Sequence, residues 1–145
     1  MVRTVTKVVG LLLKNDRPTG RNNCFMTYVI TSPCVDVKDG GCVPACPVDC
    51  IYEGGRMLYI QPDECIGCGL CESICPVGAI WEDVELDDEG KSFIEVNAEY
   101  FAEDVSGLGS PQGAKALGAS NVDHPLVTAH PAQKLNDKGN GVELV

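Results

Sequence analysis

The 145-residue chain has nine cysteines, few aromatic residues (6%) and a net charge of −10. So few aromatic side chains cannot fill a large apolar core. In a chain with no recognisable secretory signal, the cysteines then favour metal centres over disulfides. The acidity disfavours nucleic acid and anionic membranes as partners and favours proteins with basic docking faces, so we expect a cytoplasmic metalloprotein.

Residues 1–25 form the first predicted unit, an N-terminal extension with five basic side chains and one acidic side chain. Its apolar run, residues 8–13, is too short to span a membrane. Because Met26 can serve as a native start, we interpret the extension as non-native or disordered, and Cys24 within it as incidental. The functional alternative is a basic arm that becomes ordered when it docks on a partner.

Residues 26–90 form the second predicted unit and contain two similar halves. In each half a strand leads into a cysteine loop, a short helix ends at a Cys-Pro pair, and a second strand follows. The predicted elements are strands over 27–30, 50–53, 57–60 and 79–82, and helices over 43–46 and 70–74. This order predicts an α+β fold, a duplicated β-α-β-β-α-β arrangement with a pseudo-twofold axis.

Matching residues show the duplication directly. Tyr28 and Cys34 recur 31 residues later as Tyr59 and Cys65, whereas the matches beyond the cysteine loop recur after 29 residues. The first half therefore holds two additional residues between its first and third cysteines.

The second half contains a regular cysteine ladder, CIGCGLCESICP (65–76). Three cysteines at i, i+3 and i+6 bind one iron–sulfur cluster, and the remote cysteine before proline binds the other cluster of a pair. Zinc is disfavoured, because both histidines lie far along the chain in the C-terminal segment. The spacing assigns a [4Fe–4S] cluster to Cys46, Cys65, Cys68 and Cys71.

The first half is an altered copy of this ladder, CVDVKDGGCVPACPVDC (34–50). Cys34 and Cys42 remain, and Cys75 crosses over from the second half to join them. Three cysteines without a fourth thiolate favour a [3Fe–4S] cluster.

The position of the missing ligand is ambiguous in the sequence. Counted by the two offsets, the partner of the second ladder cysteine is either Val37 or Asp39. Valine cannot bind iron, but a carboxylate can. A four-iron cluster with Asp36 or Asp39 as a minor ligand is therefore the lesser alternative.

From residue 26 to about residue 109 the chain resembles the seven-iron bacterial ferredoxins, most of all the actinobacterial members. The segments MTYVITSPCVDVKDGGC, CPVDCIYEGGRMLYIQPDEC and CPVGAIWEDV carry this resemblance. It implies the small two-cluster ferredoxin fold and the same ligand sets. Val37 replaces a non-ligand cysteine of some members, which favours the three-iron assignment. The resemblance also implies that Cys50 is a non-ligand thiol near the [4Fe–4S] cluster, and a small buried apolar role is an equal alternative.

Residues 91–145 form the third predicted unit, a C-terminal helix and a wrapping tail. Asn97 is expected to cap a short helix that ends at Gly107, with Tyr100 and Phe101 facing inward. The remainder is rich in Gly, Pro, Ala and Asn, so we expect it to extend over the surface or stay mobile.

We predict a low-potential electron carrier that shuttles single electrons through both clusters. The chain lacks a nucleotide loop, a nucleophile elbow and a flavin fingerprint, so we expect no enzyme activity. The alternative is a tightly bound electron-transfer subunit of a larger oxidoreductase. The resemblance implies ferredoxin reductases, 2-oxoacid oxidoreductases and haem monooxygenases as partners, and we expect a monomer.

Overall fold

The computed structural model describes residues 26–145, so the extension and Cys24 lie outside the described residues. The elements in chain order are β1 (Tyr28–Ile30), a 3-10 turn (Ser32–Cys34), α1 (Cys42–Ala45), β2 (Ile51–Glu53), β3 (Leu58–Ile60), α2 (Leu70–Ile74), β4 (Ile80–Glu82), α3 (Asp88–Glu99), α4 (Pro125–Thr128), β5 (Gln133–Leu135) and β6 (Val142–Leu144). The α+β class is confirmed. Each strand and helix predicted for residues 26–90 lies within one residue of its expected position.

The strands form antiparallel pairs. β1 pairs with β4, with Val29 opposite Trp81, and β2 pairs with β3, with Tyr52 opposite Tyr59. A third hairpin in the C-terminal segment joins β5 to β6. Pairing of the first and fourth strands brings the two cysteine loops together. β1 leads into the first loop, and β4 follows the second.

α3 joins the two central sheets through one buried amide. The Oδ1 of Asn97 accepts hydrogen bonds from the backbone N–H groups of Ile30 (3.3 Å) and Ile60 (3.0 Å). Its Nδ2 donates to the carbonyls of Ile30 (2.8 Å) and Phe93 (2.8 Å). The facing edges of β1 and β3 do not pair with each other, so this side chain satisfies backbone groups that would otherwise be buried without partners.

The prediction that Asn97 caps the C-terminal helix is wrong. The helix begins earlier, at Asp88, and the carboxylate of Asp87 accepts a hydrogen bond from the N–H of Gly90 (2.7 Å). Aspartate and asparagine are comparable caps, so local preference could not choose between them. The inward orientation expected for Tyr100 and Phe101 is confirmed, since both are buried.

Aromatic side chains are few but concentrated at one place in the core. The rings of Tyr59 and Tyr100 stack with centroids 3.8 Å apart, and Tyr52 meets Phe101 edge-on at 5.1 Å. The hydroxyl of Tyr59 donates to Asp123 (2.9 Å). Each buried ring therefore contributes apolar contact, while a polar partner satisfies the hydroxyl of each of the three tyrosines.

The C-terminal segment lies along the β2–β3 hairpin. The Asp123 carboxylate accepts hydrogen bonds from the backbone N–H of Arg56 (2.9 and 3.0 Å), and the N–H of Ser120 donates to the carbonyl of Glu53 (2.9 Å). These contacts hold a segment with little regular structure against the body. No helix within residues 26–145 combines the length and apolar character that a membrane crossing requires.

Candidate metal centres

Five cysteines line one cavity. Its lining consists of Tyr28, Cys46, Val48, Cys50, Ile51, Ile60, Cys65, Ile66, Cys68, Gly69 and Cys71. The structure thus brings the four cysteines assigned to the [4Fe–4S] cluster around a single apolar space, together with Cys50.

Cys46 and Cys50 lie next to each other in this cavity. Their sulfur atoms are 3.5 Å apart, and the backbone N–H of Cys50 donates to the sulfur of Cys46 (3.5 Å). Cys46 follows α1 in an extended conformation, and Pro47 prevents continuation of the helix. If Cys46 binds metal as a thiolate, the backbone N–H of Cys50 and its thiol S–H are therefore both placed to donate hydrogen bonds to it.

The ladder loop is held tightly against β1 at two glycines with left-handed backbone conformations. A Cβ atom at Gly67 (φ 68°) would lie 2.5 Å from the carbonyl oxygen of Met26. One at Gly69 (φ 76°) would lie 2.9 Å from the hydroxyl oxygen of Tyr28. Only glycine fits both positions, so the loop can wrap closely around the cavity.

Three cysteines and one carboxylate line a second cavity. Its lining consists of Ile30, Cys34, Asp39, Gly40, Cys42, Leu58, Cys75, Val77, Ala79 and Ile80. The sulfur of Cys75 accepts a hydrogen bond from the N–H of Ala79 (3.4 Å), four residues later, as Cys46 does from Cys50. The three cysteines assigned to the [3Fe–4S] cluster therefore share one space.

The two aspartates proposed as minor ligands have different environments. Asp39 lines the second cavity, whereas the Asp36 carboxylate binds the guanidinium of Arg56 through Nε (2.7 Å) and Nη2 (2.6 Å). This ion pair holds the pKa of the Asp36 carboxyl below its ordinary value. The backbone N–H of Gln133 also donates to Asp36 (3.1 Å). Asp36 is thus engaged elsewhere, and Asp39 is the carboxylate beside the three cysteines.

The thiols fit a cationic cluster. Burial raises the pKa of Cys34 to about 11 and that of Cys42 to about 12, because a thiolate in apolar surroundings is costly without a neighbouring positive charge. The thiolate is the form that binds metal, and iron ions supply the compensating charge.

The cysteines surround space instead of converging on a point. Within residues 26–145, no three His, Cys, Asp or Glu side chains come together as closely as a single metal ion requires. In an iron–sulfur cluster each thiolate binds a different iron, so ligands spaced around a cavity suit a cluster. The eight cysteines of the described part of the chain are all free thiols.

Arg56 also binds the C-terminal segment. Its Nη1 donates to the carbonyls of Val127 (2.8 Å), Thr128 (3.2 Å) and His130 (2.9 Å), while the other side of the guanidinium binds Asp36. Sequence reasoning missed this residue. The one available signal was that Arg56 is the sole basic residue between positions 39 and 90.

Gln133 connects the same segment to the loop that carries Cys34. Its Nε2 donates to the carbonyls of Ser32 (2.5 Å) and Val35 (2.8 Å), on either side of that cysteine. The C-terminal segment therefore supports the cavity that Cys34 lines, which the sequence did not indicate.

Replacing Arg56 by alanine is expected to loosen this support. The variant leaves several carbonyls and one carboxylate without their charged partner, so we expect a loss of about 2 kcal/mol in stability. Proteolysis within residues 120–135 should accelerate, and the cluster at the site of Cys34 should be lost faster on dilution. Lys115→Ala, which removes an exposed basic side chain of the same segment, is the control. Equal proteolysis rates in the two variants would contradict the proposed support.

Known proteins are similar in sequence to this chain, including the segment that carries the cysteine ladder. The pattern of the 4Fe-4S binding domain family matches residues 58–81, which contain the cysteine ladder. Ferredoxins of Streptomyces griseus and Mycolicibacterium smegmatis are 53% and 52% identical over 107 residues, which is 74% of this chain and 98% and 97% of theirs.

A further relative is shorter. A protein of Hydrogenibacillus schlegelii named Ferredoxin 7Fe is 53% identical over 76 residues, which is 52% of this chain and 97% of that protein. Similarity at this level over nearly the whole length of the relatives, together with two cysteine-lined cavities, establishes common ancestry. The chain belongs to the ferredoxins, small iron–sulfur proteins that transfer electrons.

Proposed function

We propose that the chain carries single electrons between oxidoreductases through one [3Fe–4S] and one [4Fe–4S] cluster, and that it has no enzyme activity of its own. The observation that carries this proposal is the exchange of cysteines between the halves. Cys46 of the first half lies with the ladder cysteines, and Cys75 of the second half lies with Cys34 and Cys42. The relative named Ferredoxin 7Fe supports the same combination.

We also propose that the central fold is a duplicated unit related by a pseudo-twofold axis. Local geometry at the two exchanged cysteines supports this. Cys46 has φ −72° and ψ 116°, and Cys75 has φ −71° and ψ 115°. Each accepts a backbone N–H bond from the residue four positions later, Cys50 or Ala79.

The protein side of the mechanism is binding, shielding and orientation. When bound, each cluster supplies a centre that gains or loses one electron. The apolar lining residues exclude water from the thiolates, which affects the reduction potential. The N–H groups of Cys50 and Ala79 point at the bound sulfurs and stabilise negative charge there, so they favour the reduced state.

The first site is proposed to hold three irons. Cys34, Cys42 and Cys75 would be its thiol ligands, and Asp39 is the one carboxylate among the residues that line the same cavity. A four-iron cluster that uses the Asp39 carboxylate is the alternative at this site. Asp36 is a weaker candidate because its carboxylate is bound to Arg56.

The setting of this activity is also a proposal. Free thiols throughout the described residues fit a reducing compartment, so we place the protein in the cytoplasm as a monomer. Its partners are proposed to be ferredoxin reductases, 2-oxoacid oxidoreductases and haem monooxygenases. The strong negative charge of residues 26–145, with six basic and twenty acidic side chains, suits basic docking faces on such partners.

Iron analysis combined with electron paramagnetic resonance tests the cluster assignment. In aerobically purified protein we expect a signal from the oxidised [3Fe–4S] cluster, because the oxidised [4Fe–4S] cluster is silent. Reduction with dithionite should then produce the signal of the reduced [4Fe–4S] cluster. A silent oxidised protein that holds two complete four-iron clusters would contradict the three-iron assignment.

A further inference from the structure

Four exposed apolar side chains belong to the segments next to Cys68, namely the ladder loop, α2 and the residues just before β1. Met26, Ile66, Leu70 and Ile74 are 52%, 53%, 50% and 49% exposed. Cys68 is itself exposed, whereas each of the other seven cysteines within residues 26–145 is buried or half-buried. We refer to these five residues as the Cys68 face.

The members of this face adjoin one another. Ile66 and Cys68 line the same cavity, and Leu70 and Ile74 lie one turn apart on α2. The carbonyl of Met26 lies directly against the loop that joins Ile66 to Cys68. Large apolar side chains gathered at one exposed site are typical of interaction surfaces.

The two cavities differ in the exposure of their cysteines, because Cys68 is exposed whereas Cys75 is half-buried. Gln133 of the C-terminal segment binds backbone carbonyls beside Cys34, and Cys34 and Cys42 are both buried. The Cys68 face has no such cover among the contacts of the described residues. Because electron transfer slows steeply with distance, a partner gains the shortest path at Cys68.

The stretch of sequence that carries this face is acidic, although three of its carboxylates, those of Glu85, Asp87 and Glu89, line a different pocket beside Ser32 and Pro33. Residues 57–90 contain nine Asp and Glu residues and no Lys, Arg or His. Two of these carboxylates, those of Glu72 and Glu82, lie beside the hydroxyl of Tyr28, which donates to Glu82 (2.9 Å) at the base of α2. A partner therefore meets an apolar centre with negative charge at its margin.

We infer that the Cys68 face is the surface through which this ferredoxin exchanges electrons, and that it docks a redox protein with an apolar contact centre, a rim of Lys and Arg, and a redox group close to its surface. This inference rests on the proposed electron-carrier function. The apolar residues contribute contact area, while the carboxylates attract and orient the basic rim. The [4Fe–4S] cluster is then the exit for electrons, and the [3Fe–4S] cluster, covered by the C-terminal segment, is the inner one.

The test below distinguishes a redox partner from two other occupants of this face. One is the segment of residues 1–25, which directly precedes Met26 in the sequence and carries basic side chains and an apolar run. A second copy of the chain is the other. We commit to the redox partner because a segment or copy that covered Cys68 permanently would block the shortest electron path.

The test measures electron transfer from the reduced full-length protein to mitochondrial cytochrome c, a basic haem protein, by stopped flow at low salt. Leu70→Lys and Ile74→Lys each replace an apolar contact with a positive charge. That charge also repels the Lys and Arg rim expected on the partner. We expect the second-order rate constant to fall by roughly tenfold in each variant. Ser73→Lys, which keeps all the apolar side chains, should lower the rate less.

Leu126→Lys is the matched control. Leu126 is 56% exposed on α4, away from the cysteine ladder, so the same substitution should leave the rate within about twofold. Iron content, paramagnetic resonance and the reduction potentials are measured for every variant. These readouts separate docking from driving force, because a docking variant keeps both clusters and their potentials.

Each other outcome overturns the inference. Unchanged rates in the Leu70 and Ile74 variants exclude the face as the exit. Deletion of residues 1–25 that raises the rate severalfold makes that segment its occupant. A dimer that the Lys substitutions dissociate makes a second copy the occupant. If the unmodified protein shows no cluster signals, the proposed function itself is refuted, independently of any docking result.

Discussion

Replacing Cys46 by alanine is expected to remove the [4Fe–4S] cluster and leave the three-iron signal of the first site detectable. Cys46 lies with the ladder cysteines although it belongs to the other half of the chain. Three thiolates cannot complete a four-iron cluster, so the [4Fe–4S] signal should disappear and iron content should fall, by about one atom per chain if the three remaining thiolates keep a three-iron cluster and by about four if the site empties. The variant also loses one of the two inorganic links between the halves, because only Cys75 still joins them, so it should unfold more easily. Iron analysis and paramagnetic resonance of the reduced protein check this result.

Cys50→Ala is the control for this prediction. Its sulfur lies 3.5 Å from that of Cys46 in the same cavity, so both substitutions remove one thiol from the same place. We expect Cys50→Ala to keep both clusters and to shift only the potential of the second, through loss of a weak S–H contact. Cluster loss in Cys50→Ala and retention in Cys46→Ala would reverse the ligand assignment.

Replacing Asn97 by alanine is expected to cost about 3 kcal/mol in stability. The substitution leaves the N–H and C=O of Ile30 and the N–H of Ile60 buried without their side-chain partner. Each unsatisfied buried group costs about 1–3 kcal/mol, and entry of water into the small space recovers part of this. Because cluster proteins seldom unfold reversibly, the measurement is the rate at which the visible absorbance of the clusters bleaches on heating.

Ser92→Ala provides the matched control on the same helix. The Ser92 hydroxyl is exposed and donates only to the carbonyl of Glu89, so its loss should change stability by less than about 0.5 kcal/mol. Asn97→Asp keeps an acceptor and loses the donor. Its stability should lie between those of Asn97→Ala and Ser92→Ala or below both, since it buries a charge. Equal bleaching rates for Asn97→Ala and Ser92→Ala would show that the amide does not join the sheets.

The choice between Asp36 and Asp39 shows where sequence reasoning ends. Both aspartates stand within a few residues of the missing cysteine, and chemistry alone permits either as a ligand. The path of the loop separates them, because Arg56, 20 residues later, binds the Asp36 carboxylate. A contact with that separation depends on the folded chain and has no local signature.

Asn97 and the C-terminal segment show the same limit. Asn97 is an acceptable helix cap by local preference, but its role follows from two strand edges 37 and 67 residues away. The cover over Cys34 likewise depends on Gln133, about a hundred residues away along the chain. Such partners are chosen by packing, which composition and periodicity do not encode.

The sequence by itself determined the α+β class, the order of the short strands and helices, and the grouping of cysteines into two sets. It could do so because a cluster needs thiols at short fixed spacings, and because alternating apolar residues and Cys-Pro pairs are local features. Only the tertiary structure decided that Asn97 bridges the sheets, that Arg56 occupies Asp36, and that the first site is covered while Cys68 stays exposed. Each of these depends on groups distant in the chain that meet when apolar surfaces are buried and polar groups must find partners.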